Sequence, residues 1–125
     1  MKFITIILIV IYTALTGLAS DISSTQAIKG IVGESANQGY KGMLAVAGAI
    51  RNRGTLTGVY GFYSRMANNQ PDWVWKQAAK AWAESATNDI TGGATHWEST
   101  DFRKPAWASK MKVTAHIGKH IFYKP

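Results

Sequence analysis

The chain has no cysteine, which rules out disulfides, thiolate metal ligands and thiol nucleophiles together. Acidic residues are scarce as well: seven Asp and Glu stand against 14 Lys and Arg. They are Asp21, Glu34, Asp72, Glu84, Asp89, Glu98 and Asp101, so chemistry that needs two carboxylates must find both in this short set. No internal repeat, low-complexity tract or inter-domain linker is visible. At 125 residues there is room for a single domain with one modest core.

What is present is positive charge, small residues and aromatics. The net charge of +7 suits a polyanionic partner, whether a wall polymer, an anionic membrane surface or nucleic acid. The basic residues are scattered (Lys29, Lys41, Arg51, Arg53, Arg65, Lys76, Lys80, Arg103, Lys104). No basic tract forms, and no nucleic-acid partner is expected. Residues 1–19 read as a secretory signal peptide: Met1-Lys2, an apolar run from Phe3, and small residues at Gly17 and Ala19. Cleavage is expected after Ala19, leaving residues 20–125 as the exported domain. The competing reading is a retained anchor making transient membrane contact, although the apolar run is shorter than the roughly 20 residues that span a bilayer. Without disulfides, such a domain must hold itself by packing, and five Trp are a means to it.

The segment 28–53, IKGIVGESANQGYKGMLAVAGAIRNR, reads as two helices broken by a polar turn. Ser23, Ser24 and Thr25 offer N-cap oxygens, and Ala27, Ile28, Ile31 and Val32 follow at helical spacing. The second helix runs from about Tyr40, with Met43, Leu44, Ala47 and Ile50 on one face, and stops at Gly54. Arg51 and Arg53 sit at its basic end, where cations favour the helix dipole. A third helix starts at Pro71-Asp72, carries Val74, Ala78, Ala81 and Trp82 on one face, and runs to about Ala86. Residues 87–93 form a turn cluster, 94–98 a short strand, and 112–117 and 120–124 a hairpin across Gly118-Lys119. Three helices followed by a small antiparallel sheet make the fold class α+β.

Glu34 stands at the break in the first of these segments, between an apolar helix and a polar turn. An apolar flank disfavours the charged carboxylate and would let it hold a proton near neutral pH, as a general acid must. The bland alternative is a helix-end Glu that bonds the turn amides.

Several pieces in order resemble the SleB-type cell-wall hydrolase family, the catalytic domain of spore cortex-lytic enzymes. They are Gly33-Glu34, the segment 42–53 (GMLAVAGAIRNR), Val59-Tyr60-Gly61, Ala78-Ala79, Thr91-Gly92-Gly93-Ala94 and the segment 117–123 (IGKHIFY). None is specific by itself, but the ordered combination is. The resemblance implies a small lysozyme-like domain cutting the glycan strands of peptidoglycan, with Glu34 as catalytic acid. Some members act as lytic transglycosylases, which break the bond between N-acetylmuramic acid and N-acetylglucosamine without water and leave a 1,6-anhydro sugar. One departure matters: where the family often has an acidic residue four positions after the first, this chain has Gln38.

Glycoside hydrolysis ordinarily takes two carboxylates. Asp72 and Glu84 fit a helix start and an exposed face, Asp89 fits a turn cap, and Glu98 is a candidate second carboxylate beside Trp97. A transglycosylase needs only one, because the sugar's own 6-hydroxyl attacks and one Glu can serve as acid and then base. The expected substrate contacts are Asn37, Gln38, Tyr60, Thr95, Trp97 and Glu98, since sugar faces stack on aromatics and hydroxyls need polar neighbours. Trp73, Trp75 and Trp82 lie on the third helix, where core packing is the simpler reading, for Trp82 above all. His116 and His120 have the spacing of helical zinc ligands, but Gly118 between them points to a hairpin, and neither a metal nor a cofactor is expected. The reading is a monomeric, exported enzyme of the periplasm, wall or extracellular space. The alternatives are a hydrolytic muramidase or glucosaminidase of endolysin type, and a wall-binding or virion module that has lost activity.

Overall fold

A computed structural model describes residues 22–125 of the chain; the expected signal segment 1–19 lies outside these residues. Helix α1, Ser24–Ser35, is capped by the Ser23 hydroxyl, which accepts from the Gln26 amide. It buries Ala27, Ile31 and Val32. Helix α2, Gly39–Arg53, is buried at every position from Gly42 to Ile50. A helix apolar on all sides must be surrounded, and α2 is the axis on which α1 and the later elements pack. It stops at Gly54, whose positive φ of 76° is a backbone state that glycine adopts without cost.

The stretch without sequence period contains a 3-10 turn at Tyr60–Tyr63 and a one-turn helix α3, Arg65–Asn68, which the sequence pattern did not indicate. Helix α4, Asp72–Glu84, follows Pro71 and buries Val74, Ala78, Ala81 and Trp82 against α1 and α2. The Trp82 indole N–H donates to the Ser24 hydroxyl at 3.2 Å, tying the end of α4 to the start of α1.

Three antiparallel strands follow: β1 His96–Ser99, β2 Lys112–Ile117 and β3 His120–Lys124, in the order β1-β3-β2. The central strand β3 buries His120, Phe122 and Tyr123. Trp97 stands opposite Phe122 and Ser99 opposite His120. Among the described residues the fold is therefore α+β of the small lysozyme-like type, with the helices as expected plus the one-turn α3. The spacing of His116 and His120 belongs to a hairpin: His116 is exposed on β2 and His120 buried on β3.

The turn after α4 is organised by Asp89. Its carboxylate accepts from the Thr91 amide and hydroxyl, the Gly93 amide and the Asn52 side chain at 2.6–3.0 Å. Burial alone would raise its pKa. The bonds from Thr91, Asn52 and Gly93 outweigh that and hold it below the usual carboxylate value. The capping role expected for Asp89 is what the structure shows.

Candidate active site

Glu34 lies in the last turn of α1, and both of its carboxylate oxygens are held. Oε1 accepts the Gly61 backbone N–H at 2.8 Å, and Oε2 accepts the Trp97 indole N–H at 3.3 Å. The first bond requires two bare backbones in contact. A Cβ on Gly33 would collide with the Gly61 carbonyl, and a Cβ on Gly61 would lie 2.5 Å from Glu34 Cγ and 2.8 Å from the Gly30 carbonyl oxygen. Only glycine at both places lets the 3-10 turn close on the helix end. The expectation of a Glu bonding turn amides is thus met in part, but across the fold at Gly61 rather than within its own turn.

Two surface depressions meet at this carboxylate, with Glu34, Tyr60, Ser99 and Phe102 lining both. One half is apolar and aromatic: Met66, Trp73, Val74 and Phe102 line it, with Asn37, Gln38, Asp101 and His120 among its polar groups. The other half is walled by Trp97 and Trp107 and carries Arg53, Thr55, Thr57, His96 and Glu98. Tyr60 and Phe102 stand as exposed rims, 80% and 78% accessible. A groove with aromatic edges, polar groups at intervals and a carboxylate at its middle can receive a chain of sugar rings.

Trp97 is fixed from its other face. The Arg53 guanidinium lies 5.0 Å from its ring centroid and donates to the carbonyls of Thr95 and Thr57, each at 2.9 Å. Arg53 therefore leaves the end of α2 to bind the strand and loop that flank the groove. Arg51 does the same for α4: it stacks on Trp82 at 3.7 Å and donates to the Trp82 carbonyl and the Ser85 hydroxyl. Both cations stand in the last turn of α2 as expected, and their guanidinium groups also bind other elements.

Of the expected substrate contacts, Asn37, Gln38, Tyr60, Trp97 and Glu98 all line the groove. Thr95 does not: its carbonyl is taken by Arg53, and its hydroxyl lies 2.8 Å from His96 Nδ1. Gln38 has a structural bond as well, its Oε1 accepting the Lys119 amide at 2.8 Å and so joining the α1–α2 turn to the β2–β3 turn. Lys119 continues the link through an ion pair with Asp101 at 3.3 Å. Glu98 accepts the Tyr123 hydroxyl at 2.9 Å on Oε1, while its Oε2 is buried without a hydrogen-bond partner. Burial and then the Glu98 bond raise the Tyr123 hydroxyl to about 12.

Trp73 corrects the core reading. It is 63% exposed and lines the apolar half of the groove. It precedes the buried Val74, and one helical residue turns a side chain by about 100°, away from the core that Val74 enters. Sequence reasoning also passed over Phe102 and Arg53. Phe102 lies in a loop with no period, and Arg53 acts through partners far along the chain.

No protein-family model matches this chain, and no curated protein does so significantly. Among solved structures, the chain is similar to the catalytic domain of the Bacillus cereus SleB protein. Identity is 28% and the TM-score 0.60, over 83% of this chain and 94% of that one. It is also similar to the catalytic domain of the germination-specific lytic transglycosylase SleB from Bacillus anthracis. There identity is 27% and the TM-score 0.61, over 86% of this chain and all of that one (100%). The resemblance carried by the sequence pieces holds in three dimensions.

Proposed function

We propose that this chain is a peptidoglycan-degrading enzyme that cleaves the bond between N-acetylmuramic acid and N-acetylglucosamine as a lytic transglycosylase. The observation that carries the reading is the placement of Glu34 where the two halves of an aromatic-edged groove meet, in a fold similar to SleB catalytic domains. Glu34 protonates the glycosidic oxygen as the bond to the anomeric carbon breaks. The muramic acid 6-hydroxyl then attacks that carbon, and Glu34 takes the hydroxyl's proton, restoring itself and closing the 1,6-anhydro ring. Gly61 and Trp97 supply the two hydrogen bonds that orient the carboxylate throughout. Residues 1–19 direct the domain out of the cytoplasm, and its basic surface favours the anionic wall.

A hydrolytic reading needs a second carboxylate, and Glu98 lines the groove half that also contains Glu34. However, one Glu98 oxygen is occupied by Tyr123 and the other is shut away from solvent. That leaves the group poorly placed to activate a water, and it supports the mechanism with one carboxylate. Mass analysis of fragments released from purified peptidoglycan by the full chain, beside a folded Glu34→Gln control, tests this directly. Anhydro-muropeptides absent from the control are expected. Reducing ends would replace transglycosylation by hydrolysis, and wall binding with no released fragment would make the chain a binding module.

A further inference from the structure

Several cations of this chain are engaged within the fold. Arg51 and Arg53 bind carbonyls and indole rings, Lys29 lies 4.9 Å from the Phe62 ring centroid and Lys80 5.5 Å from that of Tyr40, and Lys119 pairs with Asp101. Arg103, Lys104, Lys110, Lys112 and Lys124 are different. All five are exposed, and among the described residues their side chains make no hydrogen bond, ion pair or ring contact. No acidic side chain follows Asp101 in the sequence, so nothing along this stretch offsets them.

The fold gathers these charges. Lys112 of β2 stands directly opposite Lys124 of β3, which sets two like charges on one face of neighbouring strands and costs stability. Lys110 closes the 3-10 turn Ala106–Lys110 that leads into β2, and Trp107 of that turn packs edge-on against Tyr123, next to Lys124. Arg103 and Lys104 precede the same turn. Lysine on an edge strand deters pairing with other chains, and β2 is an edge. That accounts for Lys112, but not for Lys124 on the central strand or for the cations outside the sheet.

This face is separate from the groove. None of the five cations lines either depression, and β2 is at the opposite edge of the sheet from β1, whose residues all line one groove half. Its chemistry narrows the partner. Clustered, unneutralised cations attract a polyanion, whose counterions are released on binding. Four of the five are lysines, which meet phosphate as point charges, whereas the planar fork of Arg is the better match to carboxylate. Val113 is the one large apolar side chain left exposed between Arg103 and Lys124, too little for a surface that inserts into lipid.

We propose that this face, centred on Lys110, Lys112 and Lys124, is a docking surface for a phosphodiester-linked polyol polymer of the cell wall, which holds the enzyme beside its substrate and leaves the groove free. The role rests on the peptidoglycan reading but takes no part in bond cleavage.

Binding of the full chain to poly(glycerol phosphate), polyglutamate and phosphatidylglycerol vesicles over a salt series tests it, beside two triple variants that lose the same charge. One is Lys110→Gln with Lys112→Gln and Lys124→Gln. The other, Lys41→Gln with Arg65→Gln and Lys76→Gln, removes exposed and unpartnered cations elsewhere. Urea midpoints of both should stay near the native value. At about 50 mM salt the first variant should bind poly(glycerol phosphate) about tenfold more weakly. Its log–log salt slope should shrink by about two, the contribution of three phosphates on a flexible chain. The second variant should lose less than about threefold. Equal losses in the two would reduce the effect to net charge and overturn the surface. A preference for polyglutamate or for the vesicles that depends on the three lysines would overturn the phosphate polymer as its partner. Fragment release from peptidoglycan freed of other polymers is scored separately and should be unchanged in both variants. Release without lysine-dependent polymer binding sinks only the docking surface, and lysine-dependent binding without Glu34-dependent release sinks only the enzyme.

Discussion

The indole N–H of Trp97 points at Glu34 Oε2 from 3.3 Å, although 63 residues of chain separate them. The opposite oxygen is held by Gly61 at 2.8 Å, so the carboxylate is gripped between a loop amide and a strand side chain. Arg53, stacked on Trp97 and bonded to Thr95, fixes the indole from behind. The candidate acid is oriented by contacts that its own helix does not supply.

Replacing Trp97 by Phe keeps an aromatic face for Arg53 but deletes the donor to Glu34. The turnover number for peptidoglycan fragment release should fall about three- to tenfold, the scale of one hydrogen bond expressed in the transition state. The urea midpoint should change little. An unaltered rate would show that Gly61 alone orients the acid.

Gly61→Ala forces a methyl into Glu34 Cγ and the Gly30 carbonyl oxygen. Overpacking of this kind costs about 1–3 kcal/mol, read as a lower urea midpoint. The same shift breaks the 2.8 Å bond to Oε1, so fragment release should fall further than stability alone explains. Comparison at a temperature where both proteins are folded separates the two effects.

Trp73→Ala removes an exposed ring from the groove wall. Surface changes of this sort leave stability within about 0.5 kcal/mol, whereas a sugar that stacks on the ring should bind several-fold more weakly. The expected signature is a raised KM with a nearly constant kcat. A substantial loss of stability would return Trp73 to the core.

Acidification should weaken the fold in two separate windows. Burial holds His120 and His96 below the ordinary imidazole value of 6.5; the Arg53 charge adds to the effect at His96, while Glu34 and Asp101 oppose it at His120. Just below that value the unfolded chain takes up protons that the native state does not, so stability drops as pH falls, until the folded imidazoles titrate too. Asp89 acts lower: its depressed folded pKa contributes stability above its ordinary value of 3.8, which is lost as pH falls through the folded value. Melting curves from pH 8 to 3 check both windows, and His120→Gln should flatten the upper one.

Local features were legible in the sequence wherever the cause is local. The Ser23 cap, the Gly54 stop, the Asp89 turn and the hairpin at Gly118-Lys119 each depend on residues a few positions apart. Glu34 stood out as a carboxylate ending an apolar helix, and it was the family resemblance that made it the candidate acid. Its partners did not stand out, since nothing in the spacing says that Gly61 or Trp97 returns to it. Trp73 was grouped with Trp82 although the face of Val74, Ala78, Ala81 and Trp82, already visible in the sequence, leaves it about 100° from Val74. Arg51 and Arg53 look like charges for their own helix end, yet their planar guanidinium groups are bound by Trp82, Ser85, Thr57, Thr95 and Trp97. Gln38 reads as a lost acidic residue, but its carbonyl oxygen accepts the Lys119 amide.

The order in which Glu34 and its two partners leave the ribosome has a consequence for the producing cell. Glu34 is synthesised 27 residues before Gly61 and 63 before Trp97, and β1 cannot pair until β3 near the chain end exists. A nascent or prematurely terminated chain therefore contains the carboxylate without the grip that aims it. On the proposed mechanism, the acid is aimed only once the chain has been made through β3 and has folded.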